Sequence, residues 1–432
     1  MNLQTLLHLA LISVVFVVCE AFPEGDKETN EVPHGRVSYS GSQLWRVCVD
    51  NEEKLNIINE LEKDEHVSNW ARNGTFYDVF VKQKCVEQIS QKLRENGIKY
   101  EVVSDNVQKW IDEENPPINE DIDELQDRRG HRLTWQMYHR LADINTFLDY
   151  LATSYPSLCS LKTIGSSVEG RPLRVLKISN GNPGNKAVWI DGGIHAREWI
   201  SPATVTYIIN ELVENWEKEP KAVHNIDWHI LPVANPDGYE YAHTYDRLWR
   251  KNRSKKGNCA GTDLNRNFGH YWGGKGSSRY PCHEIYAGSG PFSEPETKAI
   301  QNYITVTEAR ALWKGYLSFH SYGQYILFPW GYAEMYTNDH QDLKNVGDKM
   351  AAAIRTASGA QYRVGTAATM LYPAAGGSDD WAKGVVGMKY TYTIELRDSG
   401  SYGFLLPAAY INPSGNEGLA AVKVLANAVN AL

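Results

Sequence analysis

His195 and Glu198, three positions apart in GGIHAREWIS, follow an apolar run. Two more groups of the same kinds end other apolar runs: His320 after YLSF, and Glu395 in YTYTIEL. Two imidazoles and a carboxylate are the ligand set of a catalytic zinc site with an open fourth position. A further carboxylate beside such a site can move protons. The His-x-x-Glu spacing alone is weak, because a chain with 13 His meets it about once by chance. Each His taken singly also reads as an ordinary buried or surface residue. More telling is where the groups fall. All three stretches read as strand ends, and open α/β sheets collect ligands outside the carboxyl ends of their strands. His195 and Glu198 would come from one tight turn and His320 from a separate strand, which points to a zinc hydrolase.

The elements that must position these groups follow from periodicity. From Leu133 onward, strand-like runs (KAVWIDGG, DWHILPVAN, GYLSFHS, MKYTYTIEL) alternate with helical ones (PATVTYIINELVENW, DLKNVGDKMAAAIRTAS, GNEGLAAVKVLANAVNAL). Ser201 is a natural N-cap with Pro202 at the first helical position. This alternation predicts an α/β domain over 133–432, with a mixed, largely parallel twisted sheet flanked by helices. Upstream, LWRVCV, EEKLNIINELEK, VSNWA, FYDVFV, CVEQISQKLREN and KYEVV read as β-α-β-β-α-β, with Gly97 closing the second helix. That is a small α+β open sandwich within 22–111. Residues 112–127, DEENPPINEDIDELQD, carry eight carboxylates and no Lys or Arg, the composition of a solvated linker. RRGHR follows. Arg128, Arg129 and Arg132 beside an exposed linker invite a trypsin-like protease, so the chain reads as a pro-domain, a connector and activation region over 112–132, and a catalytic domain.

Composition narrows the classes. The chain has 432 residues, 42% hydrophobic and 22% charged, which is globular rather than disordered. A formal net charge of -8 argues against a nucleic-acid partner, which calls for a basic face. The opening MNLQTLLHLALISVVFVVCEAF reads as a signal peptide over 1–21, with an uncleaved anchor as the alternative. No later stretch is long and apolar enough to span a bilayer, so a secreted, extracellular, monomeric product with no membrane partner is expected. Five cysteines remain after Cys19, and no C-x-x-C motif occurs. An odd count implies at least one free thiol or an intermolecular bridge.

GGIHAREWISP, LWRKNRS, DLNRNF, SFHSYGQYILFPWGY and YTIELRDSGSYGFLLP closely resemble the zinc metallocarboxypeptidases of the pancreatic A/B type, and the resemblance covers nearly the whole chain. It implies one Zn2+ held by His195, Glu198 and His320, with Asp263 hydrogen-bonded to His195 and Glu395 as general base. It implies Arg253 as the cation facing the tetrahedral oxyanion. Asn265 and Arg266 would grip the terminal carboxylate of a peptide substrate, and Tyr372 would close over it. Arg197, Tyr322 and Phe404 would line the next subsite. Cys259 and Cys282 match a family disulfide, while Cys48 and Cys85 could pair with each other and leave Cys159 single. Asp379 matches the bottom of the side-chain pocket, where Asp accompanies Lys or Arg termini, and Asp380 reads as a buried hydrogen-bonding residue. Gly331 resembles the branch that takes apolar termini, and Pro373 stands beside Tyr372 where proline is not expected. The alternatives are the same chemistry with apolar specificity, or a protein that captures peptide C-termini without cutting. Asn73 and Asn252 are formal glycan acceptors, Asn252 a poor one beside Arg253.

Overall fold

The computed structural model describes residues 35–63, 67–117 and 130–432. The leader, Arg128 and Arg129 lie outside the described residues. Arg132 lies within them and is partly buried.

The first unit contains β1 (Gln43–Cys48), β2 (Val67–Asn73), β3 (Phe76–Val81) and β4 (Tyr100–Ser104), in the sheet order β2-β3-β1-β4. Helices Glu52–Lys63 and Val86–Glu95 pack on one face. Their apolar residues recur at helical spacing, as in Ile58 and Leu61 or Ile89 and Leu93, and meet Trp45, Val47, Val79 and Val81 in one core. Gly97, at φ +63°, follows the second helix and returns its N–H to the carbonyl of Arg94 at 3.0 Å, the left-handed stop that glycine makes cheaply. Cys85 is buried in this core and forms no disulfide with Cys48. The opposite face of the sheet is covered differently. Leu44, Trp70, Phe80 and Val107 share a cluster with Leu248, Tyr322, Phe404 and Leu405 of the larger unit.

The acidic stretch does not begin as a solvated linker. A helix, Val107–Glu113, runs into it, and Glu114 is only 2% exposed. Its carboxylate accepts from Arg247 Nε at 2.6 Å, and Ala408 N donates to its carbonyl at 2.9 Å. Charge density alone could not reveal this, since it needs a partner 133 residues away.

The larger unit is built on an eight-stranded mixed sheet. Its strands are β5 (Cys159–Ser166), β6 (Pro172–Ile178), β7 (Lys186–Asp191), β8 (Ile226–Leu231), β11 (Leu312–Ser321), β12 (Tyr325–Phe328), β13 (Arg363–Thr366) and β14 (Tyr390–Leu396), in the order β13-β12-β14-β11-β7-β8-β6-β5. β9 (Lys255–Lys256) and β10 (Cys259–Ala260) form a separate small hairpin. The central strands β8, β7, β11 and β14 run parallel, and helices Ile200–Glu214, His340–Ser358 and Ile411–Asn430 bury their apolar faces against the sheet. Chain order reverses direction at β7: β8 lies on one side and β11 on the other. This reversal opens the crevice that α/β sheets offer to ligands.

Candidate metal centre and cleft

His195 sits four residues beyond β7, His320 is the penultimate residue of β11, and Glu395 that of β14. The turn after β7 depends on Gly193, at φ +64°, where a side chain would also strike Pro202. Ser201 does not cap its helix, which starts at Ile200. Its hydroxyl instead accepts from Gly193 N at 2.9 Å and donates to the Phe319 carbonyl at 2.5 Å. One buried hydroxyl thus ties the His195 turn to the strand residue before His320.

The three donors converge. His195 Nδ1 lies 2.7 Å from Glu198 Oε1, and His320 Nδ1 lies 3.1 Å from both Glu198 Oε2 and His195 Nδ1. All three residues are buried, and one ligand atom from each lies within 4.8 Å of the others. Two imidazole nitrogens facing each other beside a carboxylate suit a shared divalent cation, and the His2Glu donor set with one open side fits zinc. The far side of the first ring is fixed as well. His195 Nε2 is 3.2 Å from Asp263 Oδ1, and Arg250 donates to Asp263 Oδ2 through Nε at 3.1 Å and Nη2 at 2.8 Å.

Electrostatics divide the carboxylates by task. Burial opposes the ionised form of Asp263, but Arg250, His195 and Arg266 outweigh it and hold the acid well below its usual range. Burial likewise opposes the charge on Glu198, and His195 and His320 overcome it, so it too stays low. Glu395 moves the other way. Its burial, and then repulsion from Glu198, push it up to about 7 against His320, Arg250 and Arg266. Two acids are kept ionised and one is poised near neutrality, which is how a site separates a ligand from a proton acceptor.

One cavity joins these groups to the cleft. His195, Glu198, His320, Glu395, Arg250, Asn265, Arg266, Tyr322, Tyr372, Asp379 and Phe404 all line it. Arg266 is held by Gly276 O at 2.8 Å and Asn265 O at 2.9 Å. Asn265 Oδ1 accepts from Ser378 N at 3.0 Å. Tyr372 stands 40% exposed at the rim. Asp379 is buried in the wall, and burial raises its acid. Asp380 is fully buried and turned away, accepting from Gly331 N at 2.9 Å and Tyr332 N at 2.8 Å. Cys259 and Cys282 are joined in a disulfide.

Residues 144–421 match the family model described as zinc carboxypeptidase, and residues 45–114 match the carboxypeptidase activation peptide. The chain belongs to the zinc carboxypeptidase family. It is 47% identical to carboxypeptidase B of Astacus astacus over 69% of this chain and 98% of that protein. It is 37% identical to carboxypeptidase A4 of Mus musculus over 90% and 94% of the two chains. The crystal structure of thrombin activatable fibrinolysis inhibitor superposes with a TM-score of 0.81 at 35% identity, covering 90% of this chain and 99% of that one. Carboxypeptidase A from Helicoverpa armigera gives 0.80 at 31% identity, covering 91% and 98%. This zinc carboxypeptidase thus carries an activation peptide, and proteolysis converts such a zymogen to the working enzyme.

Two sequence expectations need correction in this carboxypeptidase. Arg253 does not face the cavity. Its guanidinium lies 3.6 Å over the Tyr241 ring and 4.5 Å over that of Trp249, with Glu169 at 4.0 Å. Arg250, the first arginine of the same LWRKNRS run, faces the cavity instead, with Nη1 4.0 Å from Glu198. The two are three positions apart, and the surrounding aromatics decide which turns outward. Arg197 also stands back from the cavity. It is buried behind Phe404, 4.2 Å over its ring, and reaches Glu284 Oε2 at 3.3 Å. The poor glycan acceptor Asn252 is fully buried, donating to Glu294 at 2.9 Å and Glu296 at 3.1 Å.

A pro-domain that caps the cleft is the expectation from the chain order, but none of its residues that make the contact was named from sequence. Trp70, Ala71, Arg72 and Asp78 line the same cavity as the metal-binding trio. Asp78 Oδ2 accepts from Tyr322 OH at 3.0 Å, and Asp78 Oδ1 from Arg46 Nε at 2.8 Å. Arg46 Nη2 reaches the Gly400 carbonyl at 2.9 Å, and Trp70 meets Phe404 at 5.2 Å. The signal was an aspartate in the middle of the apolar strand FYDVFV.

Proposed function

We propose that this chain is a secreted, monomeric zymogen whose activated form removes Lys and Arg from peptide C-termini. Cutting by a trypsin-like protease near Arg128, Arg129 or Arg132 would release it. The observation that carries the specificity is Asp379, a buried carboxylate in the cavity wall with no salt-bridge partner among the described residues. A buried charge without a counter-ion is costly, and a substrate ammonium or guanidinium offsets that cost.

In this reading His195, Glu198 and His320 hold the zinc. Zinc bound there supplies Lewis-acid polarisation of a water and of the scissile carbonyl. Glu395 takes the proton of the attacking water and returns it to the leaving nitrogen. Arg250 faces the charge that develops on the carbonyl oxygen. Arg266 and Asn265 grip the terminal carboxylate, and Tyr372 closes from the rim. Tyr322 and Phe404 border the preceding residue of the substrate, with Arg197 behind them.

The single test compares hydrolysis of matched peptides ending in Arg and in Phe after limited trypsin treatment. A preference for Phe refutes basic specificity. Gly331, which lines the cavity, favours that second reading because it resembles the branch that takes apolar termini.

A further inference from the structure

A second hydrogen-bond chain reaches the metal centre from behind. Ser318 and His320 lie two apart on β11 and face the same side of the sheet. Asp191 is the register partner of Ser318 on the neighbouring strand β7. Ser318 Oγ donates to Asp191 Oδ1 at 2.6 Å and lies 3.1 Å from His320 Nε2. Asp191 is wholly buried, and its other oxygen accepts from Tyr316 OH and Trp189 Nε1, each at 2.7 Å. No Lys or Arg pairs with it among the described residues.

We propose that Ser318 and Asp191 are positioning residues that fix the ring and tautomer of His320 for metal binding, an inference that rests on His320 being a zinc ligand. Proton counting sets the direction of these bonds. A serine hydroxyl has one proton, and here it goes to the carboxylate. Toward His320 the oxygen can therefore only accept, so Nε2 carries the ring proton and Nδ1 presents its lone pair. Nδ1 is the atom that faces Glu198 and His195. Tyr316 and Trp189 both donate to the other oxygen of Asp191 and favour its acceptor form, which keeps the hydroxyl turned toward the carboxylate. The two imidazoles are thus held by different means. His195 leans directly on Asp263, while His320 leans on a carboxylate through a neutral hydroxyl. Partners of this kind, one bond beyond the ligands, set ring orientation and ligand basicity.

The test uses the full-length protein. Zinc affinity is measured by chelator competition, and the visible spectrum is recorded with cobalt(II) in place of zinc, for wild type, Ser318→Ala, Asp191→Asn, the double variant and His320→Ala. Ser318→Ala and Asp191→Asn should each weaken zinc about 10- to 100-fold and shift the cobalt bands. The metal-free Tm of Ser318→Ala should fall by only a few degrees, the cost of the buried hydrogen bond to Asp191, so the protein is still folded when its zinc affinity is read. The double variant should bind no more weakly than the worse single, because Asp191 acts through Ser318. Wild-type affinity and spectrum in Ser318→Ala, with zinc lost in His320→Ala, overturns the relay and leaves the ligand assignment standing. Fully additive losses in the double variant also overturn it. Undiminished zinc binding in His320→Ala overturns both.

Discussion

His320 and Glu395 are register partners on adjacent parallel strands, β11 and β14. Backbone pairing therefore sets the spacing between a metal-binding imidazole and the acid poised near neutrality, and no loop can alter it. Glu395→Gln keeps the shape and removes the proton acceptor. Its turnover should fall by about 10²- to 10⁴-fold while zinc content, read by atomic absorption, stays at one per chain. Turnover within a few-fold of wild type would remove Glu395 from the chemistry.

The same acid gives a pH signature. Burial and Glu198 raise Glu395 to about 7 in the metal-free site. It can accept a proton only when ionised, so kcat/KM should fall as pH drops through its pKa. A bound dication favours the carboxylate and pulls that limb downward. A profile from pH 4 to 9 should show the acid limb at or below about 7, and a limb clearly above that value would contradict the assignment.

Arg250 and Arg253 provide a paired test within one short run. Arg250→Ala should lower kcat by about 10²- to 10³-fold, the cost of deleting one oxyanion donor. Arg253→Ala should leave kcat within a few-fold and lower stability by about 0.5–2 kcal/mol through its lost ring contacts. Steady-state kinetics and thermal melts of both variants decide the matter, and the reverse pattern would restore Arg253 to the cleft.

Glu296, which does not line the cavity, makes a stability prediction. Burial raises it to about 7, opposed by its own backbone, by Val168 N at 3.1 Å and by Asn252 at 3.1 Å. The folded-state pKa lies above the unfolded one. Its contribution is thus fully present below the unfolded carboxylate range and is lost as pH rises through about 7. Glu296→Gln should flatten the dependence of Tm on pH between 5 and 8, and an unchanged slope would count against the shift.

Asp78 should help to hold the zymogen shut. Its contacts with Arg46 and Tyr322 pin the pro-domain strand across the cavity. In the uncut chain, Asp78→Ala should raise turnover of a short peptide toward the trypsin-treated rate, while the treated enzyme is unaffected. Initial rates before and after cleavage measure this, and equal rates for uncut variant and uncut wild type would acquit Asp78.

The order of elements was legible in the chain because each reports its own periodicity. The alternation in YTYTIEL, the helical spacing of Ile58 with Leu61, and Gly97 at a helix end are local facts, and each element formed where its pattern stood. The donor types were legible too, since a ring nitrogen or carboxylate at a strand end can only be what its side chain is. Orientation was not. LWRKNRS holds two arginines of equal charge, and only the rings of Tyr241 and Trp249, folded against one of them, determined which entered the cavity. Glu114 read as solvated until Arg247 arrived from another part of the chain, and Ser201 read as a cap until Phe319 offered its carbonyl. Asp191 and Ser318 become partners only when β7 and β11 pair, because hydrogen bonds and ion pairs act over a few ångströms in space while local patterns extend over a few residues in sequence.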